Sequence, residues 1–158
     1  MATVDAALKE LASAAQILNK TSDDLTRYLG EVESALVSLK LGVSVWVKLG
    51  EETELSEPTS DGLGQRTQLT IAKMLGYGKL KNKWGLLVAE YCEEFFDGQF
   101  DQECFLRDAP REIRLASVEK LPDLLKALIK KAKEIAEETT KRAGEAKAIA
   151  ASLVENSR

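Results

Sequence analysis

The chain has 158 residues, of which 44% are hydrophobic and 30% charged, and its formal net charge is −4. This length and balance are typical of one folded domain, which we expect to span residues 1–158, and they argue against a disordered chain. The negative charge argues against a nucleic-acid partner, because binding to phosphate backbones depends on basic residues. We also expect no membrane partner, since the sequence has no run of about 18 apolar residues that would cross a bilayer.

The sequence contains no histidine and two cysteines, Cys92 and Cys104. Histidine is the usual general base near neutral pH and the commonest metal ligand. We therefore predict a protein that is not an enzyme, with no catalytic residues, no metal site and no cofactor. Two cysteines are too few for a disulfide framework and favour a cytoplasmic location, although the sequence leaves open whether they pair.

Near the N-terminus, apolar residues recur at alternating spacings of four and three, which predicts one long helix over residues 3–40. This heptad spacing is typical of helices that pack side by side, as in coiled coils. Ser22 is a polar member of this seam, a type of residue that fixes the register of paired helices. The seam residues on which we base the prediction are Leu8, Leu11, Leu18, Leu25, Leu29 and Leu36.

Residues 43–92 predict a small three-stranded antiparallel β-meander. Residues 50–67 interrupt it with a stretch rich in Gly, Glu, Ser and Pro, which we interpret as a mobile acidic loop. The sequence does not determine which face of this sheet is buried. After the meander, residues 93–109 contain several phenylalanines, which we expect to pin this loop to the sheet or to a helix end.

The same heptad spacing returns near the C-terminus and predicts a second long helix over residues 110–156, kinked near Pro122. We therefore predict an α+β fold in which two long helices form a coiled-coil-like bundle and the meander is inserted between them. Parallel and antiparallel pairing both remain open, as does the number of subunits. The C-terminal seam residues are Leu121, Leu125, Leu128, Ile135, Ile149 and Leu153, and Arg142 also falls on this seam.

The first functional hypothesis is a non-enzymatic, oligomeric assembly or adaptor protein, because most of the apolar sequence lies in helix seams. Its partners would be itself, as a dimer or larger, and a protein of unknown identity.

The alternative is an oligomeric ligand-binding module that sequesters an anionic, nucleotide-like small molecule. Arginine forks, an aromatic stack and the start of a helix all favour phosphate groups. The residues predicted for this alternative are Tyr77, Lys79, Trp84, Arg107, Arg111 and Arg114.

Overall fold

The computed structural model describes residues 2–57 and 64–156. It is an α+β fold in which one helix precedes and one follows an antiparallel sheet, as the heptad and alternating patterns predict. Two short 3-10 turns, Glu93–Phe95 and Leu106–Asp108, precede and follow the last strand. The main elements are α1 (Ala2–Ser38), β1 (Val45–Leu55), β2 (Gln68–Leu80), β3 (Lys83–Cys92), β4 (Gln102–Phe105) and α2 (Arg111–Glu155), which runs through Pro122 as one helix.

The sheet has four strands in the order β1-β2-β3-β4, so the prediction of three strands is wrong. The missed strand is β4, which pairs antiparallel with β3 between Leu87–Phe105 and Glu90–Gln102. Its four residues are too few to show a clear alternation, and they lie in an acidic stretch that resembles a loop.

Strand β1 is also longer than predicted. Residues 50–55, which we assigned to the mobile acidic loop, pair with residues 68–73 of β2. Residues 50–55 of β1 are exposed on both faces of the sheet, so they lack the apolar alternation of a half-buried strand. Residues 58–63 of the predicted loop lie outside the described residues.

Both helices pack on one face of the sheet and form the core there. Leu75 and Tyr77 of β2 lie on this face together with Leu86 of β3, because alternate residues of a strand point to the same side. Leu36 of α1 and Leu124 of α2 are buried in the same cluster. The helix-covered face is therefore the one that contains Tyr77, which settles the question that the sequence left open.

The opposite face of the sheet is covered by aromatic side chains. The Trp46 ring lies across Gly76, with ring atoms within 2.7 Å of the position that a Cβ atom on Gly76 would take. The Trp46 and Phe100 ring centroids are 4.6 Å apart, and those of Tyr91 and Phe96 are 4.2 Å apart. Phe96 and Phe100 thus hold the loop before β4 against this face.

The carboxylate of Glu33 accepts a backbone hydrogen bond from the sheet just beyond the end of β4. Beyond Phe105 there is no strand residue to pair with the N–H of Leu86, and this N–H donates instead to Oε2 of Glu33 at 2.8 Å. The Glu33 side chain is only 15% exposed, and its Oε1 lies 3.4 Å from Nη1 of Arg107. Glu33 of α1 therefore both pairs a backbone group of the sheet and joins the helix to it.

The Glu33→Ala variant is expected to lose about 1–3 kcal/mol of unfolding free energy, because it leaves the half-buried N–H of Leu86 without a partner. Urea denaturation followed by circular dichroism measures the change. The matched control is Arg107→Ala, which removes the 50%-exposed partner of the ion pair and keeps the backbone hydrogen bond. We expect the control to lose less than about 1 kcal/mol. Equal losses in the two variants would mean that the ion pair, and not the backbone hydrogen bond, is the stabilising contact.

Candidate functional site

Each long helix has one part that packs on the sheet and one part that leaves it. Residues 3–20 of α1, here called the N-terminal arm, are exposed throughout, whereas burial along α1 begins at Ser22. Residues 133–155 of α2, here called the C-terminal arm, are also exposed throughout, whereas Leu128 is 2% exposed. Neither arm therefore belongs to the core of its own chain.

Both arms expose large apolar side chains, which are closely spaced in the N-terminal arm and farther apart in the C-terminal arm. Leu8, Leu11 and Leu18 of the N-terminal arm are 58%, 65% and 48% exposed. Ile135 and Ile149 of the C-terminal arm are 40% and 62% exposed. Single exposed apolar residues are ordinary, but a row of them along one element marks an interaction surface. The arms are therefore the candidate functional site of this protein.

The two predicted seams divide between core and surface. Leu29, Leu36 and Leu128 are buried against the sheet, and Leu25 and Leu121 are partly buried beside them. A heptad pattern requires an apolar surface to cover it, and a sheet serves as well as a second helix. The remaining predicted seam residues are exposed, namely Leu8, Leu11, Leu18, Leu125, Ile135, Ile149 and Leu153.

The helices meet at a polar junction near the start of α2. Nε of Arg111 donates to the hydroxyl of Ser22 at 3.3 Å, and Nη2 of Arg114 donates to the same hydroxyl at 3.2 Å. Nη1 of Arg114 also donates to Oγ1 of Thr26. Nε of Arg114 is buried and has no hydrogen-bond partner among the described residues. The two arginines that we predicted to bind an anion therefore join α2 to α1.

This junction fixes where the two arms leave the body. The N-terminal arm ends beside the first turn of α2, whereas the C-terminal arm begins after Ala132. At about 1.5 Å per residue, the stretch from Arg114 to Ala132 is roughly 27 Å long. The two arms therefore leave the body at points that are separated along α2.

The other residues predicted to bind a ligand have separate partners. Tyr77 is 1% exposed, its ring stacks on Trp84 at 5.6 Å between centroids, and its hydroxyl donates to the Leu36 carbonyl at 3.4 Å. Burial, with a smaller contribution from Glu33, raises the pKa of Tyr77. Lys79 is exposed near the β2–β3 turn, and Arg107 pairs with Glu33. The structure therefore brings Tyr77 to Trp84, and Arg111 to Arg114, but each group already has partners within the protein.

Sequence reasoning missed a cavity of about 240 Å³ between the sheet and the start of α2. Its lining comes from β1, β2, β3, β4 and α2, so no local pattern could reveal it. Lys73 at its wall is bound to Glu52, with 2.6 Å between amine and carboxylate. Its walls include both apolar and polar side chains, among them Leu49, Lys73, Val88, Glu90, Cys104 and Ile113.

Both cysteines are free thiols, and neither is activated. Burial, followed by the nearby carboxylates of Asp108, Glu103 and Glu90, raises the pKa of the Cys104 thiol. The pKa of Cys92 is raised as well, through desolvation and its hydrogen bond to Glu94. Since the thiolate is the reactive form, these shifts disfavour a nucleophilic or redox role for either residue.

Among residues 2–57 and 64–156, no three His, Cys, Asp or Glu side chains are grouped so that they could hold a metal ion. Neither described helix has a segment long and apolar enough to cross a membrane. Comparisons with protein-family models, with curated proteins and with solved structures gave no match for this chain.

Proposed function

We propose that this chain is a non-enzymatic assembly or adaptor protein, which associates with itself and with a protein partner through its two helical arms. The observation that supports the proposal is the row of leucines exposed along the N-terminal arm, together with Ile135 and Ile149 exposed on the C-terminal arm. Each square ångström of apolar surface removed from water contributes about 25 cal/mol, so an uncovered row favours association.

The exposure of the arms supports the same proposal. Both arms continue helices that the body already nucleates, but most helical stability in proteins comes from tertiary packing, which an exposed arm lacks. An arm that packs against another molecule gains this missing contribution. The heptad spacing of Leu8, Leu11, Leu18 and their neighbours further indicates that the partner surface is itself helical.

The ligand-binding alternative has less support. The guanidinium groups of Arg111 and Arg114 share the Ser22 hydroxyl, and the cavity beside β4 is lined by other residues. A cytoplasmic setting is part of the proposal, since two half-buried free thiols fit a reducing compartment.

The test is the double substitution Leu8→Lys with Leu11→Lys. It places two charges on the apolar row of the N-terminal arm without touching the core. We expect wild-type protein to have a mass above the 17.3 kDa of one chain, and the variant to dissociate at concentrations at least about tenfold higher than wild type. Light scattering coupled to gel filtration, over a dilution series, measures both.

The matched control is Ala6→Lys with Ser13→Lys, which adds the same two charges to exposed positions on the opposite side of the same helix. The control should associate as wild type does, and both variants should keep the circular dichroism spectrum of the sheet and helix body. A wild-type chain that stays monomeric at all concentrations would contradict the proposal. So would equal weakening by the two double variants.

A further inference from the structure

Helix α2 carries a second apolar row, which is exposed and lies beside the row that packs on the sheet. On the side towards the sheet, Leu124 is 0% exposed and Leu128 is 2% exposed. One position further along the chain, Leu125 is 38% exposed and Ile129 is 55% exposed, and Val118 is 43% exposed one heptad before Leu125. The part of α2 that belongs to the body therefore has an exposed apolar row beside its buried one.

This row continues into the C-terminal arm with the same alternating spacing. It contains no charged residue, and it avoids Arg142 because it passes through the neighbouring Ala143. All its members are exposed except Ala132, which is half-buried. We call this row the outer stripe; it consists of Val118, Pro122, Leu125, Ile129, Ala132, Ala136, Thr139, Ala143, Ala146 and Ala150.

The outer stripe is complementary in side-chain size to the same stripe of a second copy that runs in the opposite direction. All of its larger apolar side chains lie in the first half, which ends on Ala132, and its second half contains only alanine and threonine. When a second copy of α2 runs antiparallel with Val118 beside Ala150, Leu125 meets Ala143 and every stripe position meets another. The pairs are Val118 with Ala150, Pro122 with Ala146, Leu125 with Ala143, Ile129 with Thr139, and Ala132 with Ala136. Large residues opposite small ones pack well, and a two-fold interface requires this kind of self-complementarity.

From this self-complementarity we infer that the chain forms an antiparallel homodimer through the outer stripe of α2. The C-terminal arm of each copy then lies along the body part of α2 in the other copy. The inference rests on the proposed function, and it names the surface against which the C-terminal arm packs, which is α2 of a second copy. Glu134 lies near the middle of α2 (Arg111–Glu155). In the antiparallel pair, the C-terminal half of one α2 therefore packs along the N-terminal half of the other.

Site-specific cross-linking tests this register. In a parent chain with Cys92→Ser and Cys104→Ser, one sample carries Val118→Cys and a second carries Ala150→Cys. The two are mixed, unfolded and refolded together, and treated with a short bis-maleimide. We expect at least about tenfold faster formation of covalent dimer in the mixture than in either sample alone, since association holds the two thiols together. Native mass spectrometry before the treatment reports the subunit number.

The matched control mixes Asp123→Cys with Glu145→Cys, two exposed positions at equal height but off the stripe, and it should cross-link slowly. Rapid cross-linking of Val118→Cys with itself would mean parallel pairing and would overturn the inference. An oligomer that gives no dimer from the Val118→Cys and Ala150→Cys mixture would overturn the inference and leave the proposed function standing. A monomer in the native spectrum would overturn both.

Discussion

Replacing Leu124 with alanine is expected to lower the free energy of unfolding by about 2–5 kcal/mol, which is a large share of the stability of an ordinary domain. Leu124 is 0% exposed and packs among Leu75, Tyr77 and Leu86 on the helix-covered face of the sheet. Truncation removes buried methyl groups and leaves a cavity that a sheet of fixed geometry cannot close. Since Leu124 joins α2 to the sheet, the variant is also expected to detach the helix body before the sheet unfolds.

Urea unfolding followed at 222 nm measures the loss for Leu124→Ala. The matched control is Leu55→Ala, which makes the same truncation at a side chain that is 65% exposed at the end of β1. We expect the control to change the stability by less than about 0.5 kcal/mol. Similar losses for both variants would mean that α2 is not held to the sheet through Leu124.

Replacing Gly76 with valine is expected to cost about 1–3 kcal/mol and to displace the Trp46 ring. A Cβ atom at position 76 would lie within 2.7 Å of three atoms of that ring, a distance that packed side chains do not reach. Trp46 has little room to move because its ring also packs on Phe100 at 4.6 Å between centroids. The substitution is therefore expected to detach the loop that contains Phe100 from the sheet, in addition to moving the Trp46 side chain away from Gly76.

The shift of tryptophan fluorescence and the unfolding free energy together measure this effect. Gly50→Val is the matched control, because a Cβ atom there has nothing within 4 Å. A double-mutant cycle sharpens the test, since Gly76→Val should cost less in a Trp46→Ala background, where the clash is absent. An unchanged cost in that background would assign the loss to some contact other than the Trp46 ring.

The helices could be predicted from sequence because amphipathic periodicity over many turns is a strong local signal. The surface that covers each helix could not, because the same spacing suits a helix or a sheet as partner. Leu36 and Leu128 illustrate this, since both lie on predicted helix–helix seams and both pack on the sheet. Strand β4 and the extension of β1 were missed because short or fully exposed strands lack an apolar alternation.

The candidate site was predictable in the same partial way. The spacing of Arg111 and Arg114 correctly placed them on one helix face, but their shared partner Ser22 lies on another helix, about 90 residues away in sequence. The outer stripe was missed because Leu128 and Ile129 are adjacent and both apolar. Only their burial, 2% against 55% exposed, shows which one belongs to the core.

The carboxylate of Glu33 also bears on how this protein avoids aggregation. An open sheet edge is a template for strand addition by another chain, and natural sheets block it with short strands, charges or bulges. Here β4 has four residues, and the next backbone donor along that edge is occupied by Glu33. On the other edge, the ladder of β1 shifts register between Lys48 and Gly50, and acidic residues follow. Both edges of the described sheet therefore carry features that oppose amyloid-like growth by strand addition.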